Sequence, residues 1–316
     1  MSPAMSPGIV TVTLNPAIDQ TVAIPEFKAD TVNRVTWEQS DPGGKGVNVA
    51  SFLADFGYPC TVTGFLGQDN PELFKKLFQQ KHIEDRFVRI AGKTRVNVKI
   101  IDEVQQQVTD INFPGQSPIP QDVTQLQIVI EQLMPEHDWF VLSGSIPADV
   151  PVTLYRDLIL ALKQAGKTVV LDTSGDRLKT ALVAKPDIIK PNQVEFEEIL
   201  GYSLQSELEI IQAARQLIQQ GLWIVVVSMG AKGALFIDRD QVIHAQPPTI
   251  TLKSTVGAGD AMVAGAVVGL VEERSLADCA RLGAAFSMGA LSQFGPSLPP
   301  KAAINANATQ VRLRKL

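Results

Sequence analysis

The run Thr255-Val256-Gly257-Ala258-Gly259-Asp260 sets a carboxylate beside two glycines at the head of a small-residue apolar stretch, Ala261–Val271. Free N–H groups and the dipole at a helix start favour an anion there. Glycines at 257 and 259 let backbone approach a phosphate closely. A carboxylate would repel that same anion. The conflict resolves if Asp260 accepts a proton from an attacking hydroxyl while the amides of Gly257, Ala258 and Gly259 steady a phosphoryl group in transfer. Asp260 as an N-cap beside a tight glycine turn is the competing structural reading, slightly favoured by the tetrapeptide alone.

Three further loops carry residues able to hold ligands. Pro42-Gly43-Gly44-Lys45-Gly46 enters a helical pattern that contains Asn48. No Ser or Thr follows its lysine and the glycine spacing is wrong, so it is not a P-loop. Gly43, Gly44 and Asn48 suit sugar hydroxyls and Lys45 a substrate phosphate; a plain strand-to-helix turn is the alternative. Ser228-Met229-Gly230-Ala231-Lys232-Gly233 follows the apolar run Ile224–Val227, at the carboxyl end of a strand, where open α/β sheets bind ligands. Lys190-Pro191-Asn192-Gln193-Val194-Glu195 also follows a strand-like run. Asn192 and Glu195 share one face of an opening helical turn, where they fit either water around Mg2+ or a reciprocal capping pair; both can hold at once.

These loops need a scaffold, and the pattern supplies one. Strand-like runs Ile9–Leu14, Cys60–Phe65, Trp139–Leu142, Thr168–Leu171, Asp187–Ile189 and Ile224–Val227 alternate with helical stretches Gly46–Phe56, Asp122–Met134, Pro151–Ala165, Gln193–Leu200 and Glu207–Gln220. That rhythm predicts an α/β fold with a mostly parallel sheet covered by helices on both faces. Thr21–Glu38 and Thr94–Phe113 break it, with strand-like segments and no helix between. Arg95–Asp102 pairs with Val108–Asn112 through a polar turn, predicting a small antiparallel sheet standing off the main body: a lid, a sheet extension or a dimer contact.

Hydrophobic residues make up 45% and charged residues 19% of the 316-residue chain, enough to bury a sizeable core. A net charge of -5 gives no global pull toward nucleic acid, so an anionic ligand needs a local site of amides and a few cations. Cys60 and Cys279 each lie in apolar context and read as buried, reduced thiols of a cytoplasmic protein. No apolar run spans a membrane, and the first residues lack signal-peptide regions. Residues 1–8 read as a loose extension before one domain over 9–316, with lid segments near 20–40 and 93–113.

In this order, the four loops resemble the PfkB family of the ribokinase-like superfamily. Gly43-Gly44-Lys45-Gly46-Val47-Asn48-Val49-Ala50 is similar to its first signature and Thr255–Asp260 to its second. Lys190–Glu195 resembles its Asn-x-x-Glu magnesium motif, and the likeness runs from about Val10 to Gly295. It implies a three-layer α/β/α sandwich with a β lid and an ATP-dependent sugar kinase. In it Asp260 would be the base and the amides of 257–259 the anion hole. Lys190, Asn192 and Ser228–Gly233 (Met229, Gly230, Ala231 and Lys232 included) would contact ATP together with Gly259, and Asn192 and Glu195 would order Mg2+ through water. Asp19 would bind sugar hydroxyls with Gly43, Gly44 and Asn48. Arg95, Ser145, Lys45 and Lys99 would serve the substrate phosphate. Thr13–Asp19, Thr94–Ile100 and Thr109–Asn112 look most like 1-phosphofructokinases, which implies fructose 1-phosphate as acceptor; tagatose-6-phosphate kinases and 6-phosphofructokinases share most of these residues. Ala261 departs from the branch, where a serine commonly follows the base. The resemblance leaves room for a homodimer through the lid. An aspartate near its ordinary pKa of ~3.9 is already ionised at neutral pH, so the base is expected to need no large shift.

Two rivals come from other classes. A dinucleotide oxidoreductase needs a Gly-x-Gly-x-x-Gly turn after the first strand, which Leu14-Asn15-Pro16-Ala17 does not provide. A non-catalytic sugar or nucleotide sensor would have no reason to keep Asp260 beside anion-hole glycines, and ATP turnover separates the two.

Overall fold

The computed structural model describes residues 8–249 and 257–316. The expected N-terminal extension therefore lies outside the described residues except for Gly8, which opens the first strand, and so do Thr255 and Val256.

Strand β1 (Gly8–Thr13) leads into β2 (Ala17–Ala23), and β3 (Trp37–Gly43) returns into helix α1 (Lys45–Asp55). Next come β4 (Cys60–Gly67), α2 (Glu72–Lys81), β5 (Glu84–Asp85), β6 (Val88–Ile90) and the hairpin β7 (Val96–Asp102) and β8 (Gln107–Ile111). Then follow α3 (Pro120–Leu133), β9 (His137–Ser143), α4 (Leu154–Gln164), β10 (Thr168–Asp172) and α5 (Gly175–Leu182). The series continues with β11 (Ile188–Ile189), α6 (Gln193–Leu200), α7 (Glu207–Gln219) and β12 (Ile224–Ser228). It closes with β13 (Ala234–Ile237), β14 (Val242–Gln246), α8 (Ala258–Val271), α9 (Leu276–Leu291), α10 (Lys301–Gln310) and β15 (Arg312–Lys315). Helix α4 starts later than its proline suggests, because Pro151 accepts a hydrogen bond from Leu154 N in a turn ahead of the helix.

The main sheet runs in the order β15-β14-β13-β12-β11-β10-β9-β1-β4-β5, with β6 also on β4. It is parallel from β12 through β4 and antiparallel over β13–β15. Alternate residues feed opposite cores. Ile9, Val141 and Val170 pack with α1, α8 and α9; Val10, Val12, Phe140, Leu142, Val169 and Leu171 pack with α3, α4 and α7. Burial on both faces is why these strands are apolar throughout rather than alternating. Cys60 and Cys279 are free and buried. Among the described residues no helix is long and apolar enough to cross a membrane.

Helix α8 is buried continuously from Asp260 to Gly269. It has no polar stripe because neighbours surround it. A Cβ at Gly265 would lie 2.7 Å from Leu282 O, so the missing side chain lets α9 approach. Ser287 of α9 donates to Ala258 O at 2.7 Å and steadies the first turn.

The second sheet has the order β3-β2-β7-β8. Its outer pairs, β2–β3 and β7–β8, are antiparallel as expected, and its central pair β2–β7 is parallel. The cause is connectivity: β2 leaves the main sheet directly after β1 and β7 soon after β6, both parallel strands, so both head outward. The lid strands reach closer to the main sheet than segments 20–40 and 93–113 suggest, since β2 begins at Ala17 and β3 ends at Gly43. Asp19 is thus a strand residue.

Candidate active site

The described residues of the loops singled out from the sequence lie beyond the carboxyl end of a parallel strand or at a helix start beside it, the usual ligand edge of an open α/β sheet. Gly44 caps α1 with φ 119°. A side chain there would meet Thr13 Cγ2 at 2.9 Å and Pro16 Cα at 3.1 Å, so both backbone sign and space require glycine. That turn starts α1 with Lys45 and puts Asn48 one turn on.

Asn48 Nδ2 donates to Asp260 Oδ2 at 2.8 Å. Gly257, at φ 79°, is the N-cap of α8, so Asp260 is the third helical residue, and its carboxylate turns to Asn48 rather than capping the helix. The capping alternative therefore fails. Lys190 reaches from the end of β11 to the same turn: a Cβ on Gly259 would lie 3.3 Å from its Nζ.

Asp172, the last residue of β10, joins the two lysines. Its Oδ1 lies 3.1 Å from Lys45 Nζ and 3.4 Å from Lys190 Nζ. Burial alone would raise this carboxyl, but Lys190 and Lys45 hold it below the ordinary value. The neighbouring carboxylate goes the other way. Burial, with Asp172 beside it, pushes Asp260 up to about 6 against the pull of Lys45, Asn48 and Lys190. The expectation of an unshifted aspartate is thus corrected; a carboxyl sunk among helices loses hydration that the sequence does not display. Burial would lower Lys45, yet Asp172, Asp260 and Glu195 keep it above its usual range.

A second group lies at the root of the lid. Asn97 Nδ2 donates to Asp19 Oδ1 at 3.1 Å across the β2–β7 pair. Gly43 is directly beneath, where a Cβ would fall 2.1 Å from Asp19 Oδ2. Burial raises the Asp19 carboxyl despite Asn97, Arg95 and Lys99. Lys99 does not join Arg95 in one cationic group; it pairs with Asp110 opposite it on β8 at 3.0 Å.

The third group is organised by Asn15. Its Nδ2 donates to Ser145 Oγ at 3.0 Å, and its carbonyl accepts from Arg95 Nη2 at 3.0 Å. Arg95 also donates to Phe113 O and Pro16 O, which leaves two of its five N–H donors for an anion. Gly144, next to Ser145, faces the Lys45 stem, with its would-be Cβ 3.7 Å from Lys45 Cβ. Lys45, Ser145 and Arg95 are thus linked through Gly144 and Asn15.

Asn192 and Glu195 form the reciprocal cap, each side chain accepting from the other's N–H at 2.9 Å. Each keeps free lone pairs for water. Among the described residues no cluster of three or more His, Cys, Asp or Glu side chains could cage an ion. Asn192 bridges to Ser228, and Ser228 N donates to Pro191 O. The Ser228–Gly233 loop is thereby continuous with this edge. Its turn Gly230–Lys232 is exposed.

Asp172 and Asn15 are the residues that sequence reasoning missed. The signal available was a lone aspartate closing an apolar parallel strand, a position that aims a carboxylate at the ligand edge.

The chain matches the family described as pfkB family carbohydrate kinase over residues 11–303. It is 45% identical to the 1-phosphofructokinase of Rhodobacter capsulatus over 313 residues, 99% of either chain. The solved phosphofructokinase-2 of Escherichia coli in complex with potassium superposes with a TM-score of 0.88 at 29% identity, covering 96% of this chain and 98% of the other. The ribokinase of Thermotoga maritima, at 21% identity, shares the fold with a TM-score of 0.79 over 96% and 99% of the two chains. With a buried carboxylate at the head of α8, lysines over its first turn and a polar lid root, the chain belongs to the pfkB family of carbohydrate kinases.

Proposed function

We propose that the protein transfers the γ-phosphoryl group of ATP to the 6-hydroxyl of fructose 1-phosphate, giving fructose 1,6-bisphosphate. The observation that carries the chemistry is the Asp260–Asn48 pair beside Lys190 and the α8 amides. Asn48 engages one carboxylate oxygen of Asp260 and leaves the other to orient the hydroxyl in line and take its proton. The amides of Gly257, Ala258 and Gly259 with Lys190 receive the charge on the moving phosphoryl group. Phosphoryl transfer passes through a loose transition state, so positioning and charge neutralisation carry most of the acceleration. Asn192 and Glu195 would hold Mg2+ through water, and the cation would supply positive charge against the nucleotide phosphates. The Ser228–Gly233 loop takes the nucleotide.

The linked group of Lys45, Arg95 and Ser145 suits the substrate phosphate, since an acidic chain must concentrate cations locally to hold one. Asp19 with Gly43, Gly44 and Asn48 takes the sugar hydroxyls, and Lys99 stands further out on the lid. The name of the Rhodobacter capsulatus relative supports the 1-phosphate over tagatose 6-phosphate or fructose 6-phosphate as acceptor. Exposed Trp37, Val96 and Ile111 on the lid suit a second copy of the chain. Reduced, buried thiols fit a cytoplasmic setting.

A screen of the purified enzyme with ATP and Mg2+ against the three sugar phosphates should give the highest kcat/KM with fructose 1-phosphate. A preference for either 6-phosphate overturns the acceptor assignment and leaves the phosphotransferase assignment standing; no ATP turnover with any of them removes both. Gly43→Ala should push Asp19 aside and raise KM for the sugar phosphate about tenfold or more, while KM for ATP stays put. An unchanged sugar KM means Asp19 does not touch the sugar.

A further inference from the structure

The Gly230–Lys232 turn closes on itself. Met229 N donates to Gly233 O, Lys232 N to Met229 O and Gly233 N to Gly230 O. Those bonds fix its shape but not its place on the sheet. The β12–β13 pair holds its two ends at Ser228 and Ala234, and β14 packs against its last residues. Gly233, at φ 89°, lies so close that a Cβ would come within 2.0 Å of Ala245 O. One residue earlier on that strand, His244 is 3% exposed and its Nε2 lies 2.8 Å from Lys232 O. A carbonyl accepts only, so Nε2 carries the proton and donates.

The other ring nitrogen is clamped from outside. Nδ1 lies 2.9 Å from Arg314 Nη2 and 2.9 Å from Glu207 Oε2. Arg314, opposite His244 on β15, also donates from Nη2 to both Glu207 oxygens at 2.8 Å. Neutral Nδ1 accepts from Arg314, and protonated Nδ1 donates to Glu207. In either state Nε2–H stays on Lys232 O.

Resting on the nucleotide role proposed for Ser228–Gly233, we propose that His244, held by Arg314 and Glu207, is a positioning residue that fixes the nucleotide loop against β14 and sets affinity for ATP. It touches no substrate and acts through the Lys232 carbonyl. Without the donor, that carbonyl loses its partner and the turn is free to shift.

Equilibrium binding of ATP with Mg2+ to the full chain, alongside steady-state kinetics, tests this. His244→Leu should weaken ATP binding about tenfold and leave KM for the sugar phosphate unchanged. His244→Gln, whose amide N–H can reach the same carbonyl, should stay within about twofold of wild type. ATP binding by His244→Leu at wild-type strength, an equal rise in both KM values, or failure of the glutamine to rescue overturns the proposal. If His244→Leu does not fold, the Glu207→Gln/Arg314→Ala double variant unclamps the ring and should weaken ATP binding about threefold; unchanged binding there overturns it too. Gly233→Ala is the separating control. If it leaves ATP binding intact, the nucleotide reading of the loop fails; if it weakens ATP binding while His244→Leu does not, only the positioning role fails.

Discussion

Asp260→Asn is expected to lower kcat by about 10²–10⁴-fold, the usual worth of a positioned general base, while KM for ATP changes less than about twofold. The asparagine fills the same space and can still meet Asn48, so the loss isolates the proton acceptor from the scaffold. Near-wild-type turnover would remove Asp260 from the chemistry. The same variant should be more stable than wild type at neutral pH. Burial, with Asp172 beside it, pushes the Asp260 carboxyl up to about 6 from its ordinary 3.8, so the folded protein binds a proton more tightly than the unfolded chain. For a carboxyl raised in this way, stability is greatest below about pH 4 and falls as pH rises toward 6. Asparagine carries no such charge. Urea unfolding should show the variant gaining up to about 3 kcal/mol above pH 6, with the gain fading toward pH 4. A variant no more stable than wild type at pH 7 would mean that burial does not burden this carboxylate.

Asp172→Asn should move both properties down together. It removes the anion shared by Lys45 and Lys190 and leaves two crowded ammonium groups with Asp260 as their nearest counter-charge. Breaking a buried pair costs about 3–5 kcal/mol; with the Lys45 side chain 36% exposed, about 2–4 kcal/mol is expected here. With Lys190 no longer fixed over the α8 turn, kcat should drop about 10–10²-fold. The sign of the pH effect reverses. Because Asp172 is held below its usual pKa, its contribution is present above about pH 4 and lost as pH falls through its folded value. The stability deficit of the variant should therefore shrink in acid. Two carboxylates in one cluster would then shift stability in opposite directions, which a single uniform environment could not produce. Equal stability of Asp172→Asn and wild type at pH 7 would dismiss its role as the anchor of the lysines.

What the sequence made legible was local. Asp260, the glycines around it, Lys45 with Asn48, and Asn192 with Glu195 each lie inside a short motif whose strain or charge conflict can be read in place. Apolar runs of the parallel strands were equally plain, because burial on both faces writes itself into every residue. Asp172 was not legible: it meets Lys45 across 127 positions, through crossovers whose register no local pattern encodes. Nor was α9, buried along most of its length and so without a polar stripe, or α10, whose Lys301–Gln310 run holds one buried residue, Ile304. The upward shift of Asp260 was hidden for a related reason, since desolvation is a property of the helices around it.

The parallel β2–β7 pair has a mechanical consequence. Each strand directly follows one of the main sheet, so any tilt of the second sheet would turn about the β1–β2 and β6–β7 joins, as a lever turns about its fulcrum. Asn15 and Arg95 sit at that fulcrum and Asp19 just beyond it, where rotation produces the least travel. Lys99, four residues beyond Arg95 and therefore roughly 13 Å along the arm, sweeps further. Such a tilt would leave Asn15, Arg95 and Asp19 almost still while the far end covers ground.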